Sequence, residues 1–496
     1  MKSIALRMVT LLAALLLVPL ALAAQSLEER VTEDRLRNGF KVLMIERHAS
    51  PTVALYILFK AGAVDESDDA TGIAHLLEHM LFKGTKTIGT TDYAREKELL
   101  DAIERVGTTL DEERAKGAGA DAERVQSLER ELEELQEKAH RYVIRNQYES
   151  YYTKHGAQGF NAATSKDYTL YMVELPSNKI ELWALLESDR LQNYVLREFY
   201  TERRAVLEER RMRIDTNPVG KLGERFLETA FEVHPYGKSI IGYPEDILLL
   251  SEEKAHRFYR NHYTPENGVI ILVGDVYPDT VLPMLERYFG ALPARDAVHT
   301  AIPTEPTQRR ERRIEVEFDA EPFLMIGYHK PTIPHRDNYV FDMISGILSF
   351  GRTSRLHRAV VETGIAVSAY SFNGHPGERF DNLFMFTGAP RAPHTTADLE
   401  KAMYAEIEKL KNEPVAEEEL DRVMKQVDAA FVRALQSNSG MAYWLASSEA
   451  TAGSWRYLLT WREEIRRVTP EDVMRAARTY LTAENRTVGT IVKPGA

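Results

Sequence analysis

Two histidines stand four residues apart in the run His75-Leu76-Leu77-Glu78-His79, with a glutamate directly before the second. On a helix, residues three and four apart share a face, so both imidazoles can reach one ion and the Glu78 carboxylate lies on the same side. A divalent metal held this way lowers the pKa of a water, and a carboxylate beside it can take the proton. The chain has no cysteine, which excludes thiolate ligands and leaves histidine and carboxylate to hold any metal. A catalytic zinc centre takes three protein ligands and keeps one position open. The third must come from a carboxylate far along the chain.

Those side chains need a helix to carry them, and Gly72 to Phe82 reads as one. Ahead of it, Phe40 to Ile45 and Val53 to Phe59 are strand-like runs parted by a turn region at Pro51. Residues 93 to 143 differ in character. Leu99, Ile103, Val106 and Leu110 recur at steps of four, three and four. Val125, Leu128, Leu132, Leu135, Ala139 and Tyr142 recur at three, four, three, four and three. These are seam spacings of a coiled coil, with a tip at Lys116-Gly117-Ala118-Gly119-Ala120. The reading is a helical hairpin, peripheral to the chemistry. Further on, Tyr168 to Leu175 is strand-like and a long helical stretch runs from about Asn178 to Asp215. Glu252 to His262 reads as helix and Gly268 to Gly274 as a buried strand.

The end of the first half recurs at the end of the chain. At an offset of 218 residues, Arg260 matches Arg478, Thr264 matches Thr482, Glu266 matches Glu484 and Asn267 matches Asn485. Both segments are a helix, a turn and an apolar strand, and both helices start at a capping residue, Ser251 and Thr469. Two homologous halves follow as the simplest organisation. The expected domains are a zinc-binding domain at 24–290, a proline-bearing linker at 291–312 and a homologous domain at 313–496.

Composition narrows the setting. A chain of 496 residues with 44% hydrophobic and 28% charged residues is an ordinary globular protein of several domains. A net charge of −12 argues against nucleic acid as a partner, since little basic surface is left to neutralise phosphates. Lys2 and Arg7, an apolar run over residues 8 to 22 and the small-x-small site Ala21-Leu22-Ala23 read as a signal peptide over 1–23, removed on export. An uncleaved anchor is the alternative, but the run is short for a spanning helix and contains Pro19. No stable membrane span is expected after cleavage. With no cysteine, the expected location is the bacterial periplasm or the exterior.

The block from Ala74 to Thr85 resembles the active-site motif of the pitrilysin/insulinase zinc peptidases, particularly their bacterial processing-peptidase-like members. The resemblance covers nearly the whole mature chain. It implies an α+β fold of two homologous α/β-sandwich halves facing a cleft, here with the coiled-coil hairpin inserted in the first half. Glu202-Arg203-Arg204-Ala205-Val206-Leu207-Glu208-Glu209 is similar to the family's third-ligand segment, which implies Glu209 as the ligand and Glu202 as a supporting acid. Asn161-Ala162 through Tyr171 is similar to the family's edge-strand block, which implies Asn161, Ala162 and Thr164 as substrate-binding residues. His234-Pro235-Tyr236 and Ile241-Gly242 match a later block. The second half departs from the pattern. After Ser354-Arg355-Leu356 the family places an arginine and then a tyrosine in the cleft; here those positions are Val361 and, with a one-residue gap, Val367, while Tyr370 is out of register.

The expected function is a zinc-dependent endopeptidase with one Zn²⁺ per chain. His75, His79 and Glu209 are expected to hold the metal, Glu78 to act as general base, and Asn161, Ala162 and Thr164 to bind peptide or unfolded segments. The valines imply a related partner chain that supplies the arginine–tyrosine pair, or a homodimer. The alternatives are a non-catalytic assembly or structural subunit of a peptidase-like complex and a scaffold whose hairpin is the functional part.

Overall fold

Lys41–Glu46 and Gly268–Gly274 are apolar runs buried along almost their whole length, and Thr52–Phe59 is another. Strands buried on both faces lose the polar alternation of a surface strand. These runs form β2 (Lys41–Glu46), β6 (Gly268–Gly274) and β3 (Thr52–Phe59) at the middle of a six-stranded sheet. The sheet is completed by β1 (Val31–Arg35), β4 (Gln158–Thr164) and β5 (Thr169–Pro176), in the order β1-β2-β6-β3-β5-β4. The computed structural model describes residues 27–298 and 300–494. The expected signal peptide at 1–23 lies outside the described residues.

A second sheet holds β7 (Arg312–Glu317), β8 (Leu324–Lys330), β9 (Ala366–His375), β10 (Asn382–Pro390) and β11 (Arg486–Val492), in the order β7-β11-β8-β10-β9. Apart from β1, the two sheets share one plan. In each, the last strand of the half runs parallel to the first, β6 beside β2 and β11 beside β7, and every other pairing is antiparallel. The fold is therefore α+β with two mixed sheets. The free edges are equivalent as well: β4 closes one sheet and β9 the other.

Each half lends a helix to the other. Alternate residues of the first sheet face opposite ways. Val42, Met44, Leu55 and Ile57 pack on first-half helices, whereas Leu43, Tyr56, Leu58 and Ile271 pack on Met441, Leu445 and Trp455 from the far end of the chain. Met441 and Leu445 belong to a helix at Asn438–Thr451, which lies across β3 and β6. In return a helix at Pro218–Ala230 lies on β7 and β11, with Phe226 and Ala230 among Leu383 and Met385. Gly327 permits this approach, because a Cβ there would sit 2.9 Å from the ring of Phe226. The two exchanged helices begin at 218 and 438, close to the offset of the sequence repeat.

Two expectations are corrected. The long helical stretch from 178 to 215 is broken in two, Ile180–Asn193 and Phe199–Arg210, with Glu198 at a positive φ of 62°. The cause is Arg197, a buried side chain that turns inward to Glu96 and to the carbonyls of Lys83 and Thr85. The hairpin is also less peripheral than expected. Its helices run over Tyr93–Arg114 and Ala122–His140, each started by an aspartate cap, Asp92 and Asp121. The first docks on the helix Phe199–Arg210: Arg203 reaches Asp111 at 2.7 and 2.9 Å, and the Tyr200 hydroxyl donates to Glu104 at 3.0 Å. Gly107 leaves room for that tyrosine ring, which a Cβ would meet at 2.1 Å.

The helix at Asn438–Thr451 is pinned by a buried ion pair. Glu449, whose side chain is fully buried, accepts from Lys41 at 2.6 Å and from the Trp455 N–H at 2.8 Å. Removing one partner of such a pair strands the other charge. Lys41→Met should destabilise the chain by about 3 kcal/mol in urea unfolding, and the Lys41→Met/Glu449→Met double variant should recover most of that loss. Additive losses in the double variant would show that the two groups are not coupled.

Candidate metal centre

Helix α1 (Ile73–Met80) carries the histidines. Ile73, Leu76, Leu77 and Met80 point into the core, which leaves His75, Glu78 and His79 on the opposite face. The helix starts at Gly72, with φ of 87°, where a Cβ would lie 2.3 Å from the Ile241 carbonyl oxygen. No serine or aspartate precedes it as a cap. Instead the buried Glu66 carboxylate accepts from the N–H groups of Gly72 and Ala74, both at 2.9 Å. Burial pushes the Glu66 carboxyl up to about 8, against those two bonds and the nearby Lys166. Helix α2 (Phe199–Arg210) crosses α1 and brings Glu202 and Glu209 to the histidines, seven residues and two turns apart on one face.

His75 Nε2 lies 3.7 Å from Glu209 Oε1, and His79 Nε2 lies 3.5 Å from Glu209 Oε2. The ligating atoms of the three residues all fall within 4.8 Å of one another. These separations are too long for hydrogen bonds. They suit a tetrahedral ion, whose bonds of about 2.0–2.1 Å set ligand atoms roughly 3.4 Å apart. His75 is suited to a cation: burial, with His79 and Arg213 nearby, lowers its pKa to about 3 and keeps the ring neutral. Its Nδ1 is buried with no hydrogen-bond partner, so packing alone holds the ring.

His79 is held differently. Its Nδ1 meets Glu202 Oε1 at 2.9 Å, which turns Nε2 towards Glu209. Burial lowers the pKa of this ring, but Glu202, Glu209 and Glu78 outweigh it and raise it. Burial likewise opposes ionisation of Glu202, yet its bonds to His79 and to Lys83, at 2.6 Å, bring it down to about 2. Glu78 shows the opposite result. Burial raises its carboxyl, against hydrogen bonds from the Thr164 hydroxyl, at 2.6 Å, and the Thr164 N–H and against the nearby His79. Of these two carboxylates, one is held ionised and the other is made easier to protonate.

A cleft of about 790 Å³ opens over the cluster. His75, Glu78, His79 and Glu209 line it, as do Asn161, Ala162 and Thr164 on the free edge of β4. The structure thus gathers in one place every residue expected there from the first half, with Glu202 directly behind His79. The second-half positions are not gathered. Val361 is half-buried against the second-half core, and Val367 and Tyr370 are exposed on β9 without lining the cleft. His375 and Pro376 are what that half contributes. Sequence reasoning missed these two along with Lys166, Arg213 and Glu66. Arg213 reaches Glu209 at 3.0 Å and its i+4 spacing is a readable signal; the others have no local signature.

Comparison with known proteins agrees with this geometry. The profile of the insulinase family (peptidase family M16) matches residues 41–113 and 121–243, and that of the peptidase M16 inactive domain matches residues 250–427. Only 114–120, at the tip of the helical pair, falls between the two matched segments of the first profile. The chain is 27% identical over 452 residues to the zinc protease PqqE of Helicobacter pylori, covering 89% of each chain. Its structure resembles that of a protease from Helicobacter pylori, with a TM-score of 0.77 and 25% identity over 93% of this chain and 99% of that one. The first half of the periplasmic protease PqqL from Escherichia coli shares the fold, with a TM-score of 0.67 and 17% identity over 94% and 92% of the two chains. The chain belongs to the insulinase family of M16 peptidases.

Loss of Glu202 should leave the His79 ring free to turn. Zinc affinity of Glu202→Ala should fall about 10–100-fold in a chelator competition, the usual range for a group behind a ligand. An affinity equal to that of the unsubstituted chain would remove Glu202 from the centre.

Proposed function

We propose that this chain is a zinc-dependent endopeptidase in which His75, His79 and Glu209 hold one zinc ion and Glu78 moves the proton. The observation that carries the reading is the convergence of three ligating atoms within 4.8 Å beside a buried carboxyl, inside an open cleft. A bound zinc ion supplies an acidified water and a polarised scissile carbonyl. Glu78 accepts the proton on a carboxylate oxygen and passes it to the leaving amine. Its raised proton affinity suits both steps, because a base that holds the proton more firmly can return it as the acid. Thr164 keeps that carboxylate aimed.

Substrate enters as an extended chain. β4 is paired on one side only, so its outer N–H and C=O groups are free to bond a peptide or an unfolded segment along Asn161, Ala162 and Thr164. Backbone pairing makes recognition depend on extended shape more than on sequence.

The enzyme works with a related chain. Val361 and Val367 can neither donate to an oxyanion nor orient a carbonyl, and Tyr370 lies outside the cleft lining. A partner that brings an arginine and a tyrosine completes the site. The charged-then-apolar start and the lack of cysteine support a periplasmic location. Among the described residues no helix is long and apolar enough to cross a membrane.

Glu78→Gln should keep its zinc in metal analysis and lose turnover of an extended peptide, since it removes the base and no ligand. Retained turnover would refute the assigned role. The purified chain should be about a hundredfold less active alone than when titrated to one-to-one with its companion, the usual effect of a missing oxyanion donor. Full activity alone would refute the divided site.

A further inference from the structure

Thr164 is the last residue of β4 and its hydroxyl sits on Glu78 at 2.6 Å. The reacting bond therefore lies at the end of the edge strand. Pairing along β4 grips the substrate on one side of that bond only. On the other side the chain turns at 165–168, and the turn is fastened to the second half. The Asp167 carboxylate accepts from the Tyr236 hydroxyl at 2.6 Å and from the N–H groups of Glu378 and Arg379 at 2.7 and 3.2 Å. Arg379 in turn reaches Asp65 at 3.1 Å. The wall past the metal is thus fixed.

Two lysines stand on it, Lys166 and Lys238. Lys166 lines the cleft although it is only 1% exposed, and its amine donates to the carbonyl of Lys238. The acids near it are committed elsewhere: Glu66 to the start of α1, Asp167 to the second-half loop. Glu224, also on the wall, is held by both guanidinium nitrogens of Arg210 at 2.7 and 2.9 Å. Lys238 lines the same wall and pairs with Asp68, whose side chain is 97% exposed, a surface contact that is easily exchanged. His375 beside them is held neutral, burial lowering it to about 4. With Glu209 paired to Arg213 at 3.0 Å and Glu224 to Arg210, the charge left on this wall is positive.

We propose that Lys166 and Lys238 form a carboxylate-binding subsite on the side of the scissile bond that β4 does not cover, so that the peptidase prefers substrates with an acidic side chain or a free chain end there. This rests on the peptidase reading above. An ammonium binds a carboxylate better than an amide, because a hydrogen bond between two charged groups is stronger than one to a neutral acceptor.

The test is peptide binding to zinc-loaded Glu78→Gln chain, read by fluorescence anisotropy. The probes are dansylated extended octapeptides: a neutral amidated parent, the parent with one glutamate moved through each position, and the parent with a free C-terminus. At least one acidic probe should bind about tenfold more tightly than the parent. Lys166→Met and Lys238→Met, each added to that background, should bring the ratio towards one. A gain from glutamate alone identifies a side chain as the ligand, and a gain from the free terminus alone identifies the chain end. Should Lys166→Met fail to fold, the partly exposed Lys238 decides the outcome. Equal binding of all probes, or a preference that survives both substitutions, overturns the subsite. Cleavage of the same peptides by the unsubstituted chain, alone and with its companion, reads the peptidase proposal separately: cleavage without preference overturns the subsite alone, and preference without cleavage overturns the activity alone.

Discussion

Three buried arginines settle where helix α2 lies, and the metal centre depends on that placement. Arg197, just before the helix, binds Glu96 and also the carbonyls of Lys83 and Thr85, in the segment that leaves α1. Arg203, midway, binds Asp111 and the Leu250 carbonyl. Arg210, at the end, binds Glu224 and the Gly242 carbonyl. A planar guanidinium that meets a carboxylate with two nitrogens fixes orientation as well as distance. Buried pairs of this kind return little net stability, since desolvation offsets most of the attraction. Their effect here is on register: a helix staked at three points cannot slide by a residue, and a slide of one residue would carry Glu209 about 100° around the axis and away from the histidines.

The same logic extends to the helix Tyr93–Arg114. Asp111 and Glu104 are on it, and both grip residues of α2. A segment that reads as an appendage is therefore part of the support behind Glu209. The contacts are polar and partly buried at the α2 end, with Ile103 and Leu110 closing the apolar side.

Exchange of one helix between the halves gives the cleft its shape. Each sheet is covered on one face by its own helices and on the other by a helix of its neighbour, so the halves are locked through two apolar layers. The candidate metal ligands all come from one half, while His375 and Pro376 from the other complete the wall. Electrostatics within the site then divide two similar acids. Glu202 and Glu78 are both largely buried, but Glu202 bonds His79 and Lys83 while Glu78 bonds the hydroxyl and N–H of Thr164. Environment, not residue type, separates the acid held ionised from the one that burial makes easier to protonate.

The sequence by itself determined what short-range geometry controls. The spacing of His75, Glu78 and His79 places them on one helical face, and the absence of cysteine restricts the donor set. The repeat at a 218-residue offset foretells two sheets of one strand order, because each half carries the same succession of elements. Glu209 was legible only through family resemblance: Glu208 beside it has the same chemistry, and only the crossing of α1 and α2 selects between them. Tertiary structure alone decided the break at Glu198, since a buried arginine overrides local helix preference. It also decided the docking of the helix Tyr93–Arg114, the exchange of helices and the placing of Lys166 and Lys238 on one side of the cleft. Each depends on residues tens to hundreds of positions apart finding a common buried charge partner or apolar face, and no local spacing records that.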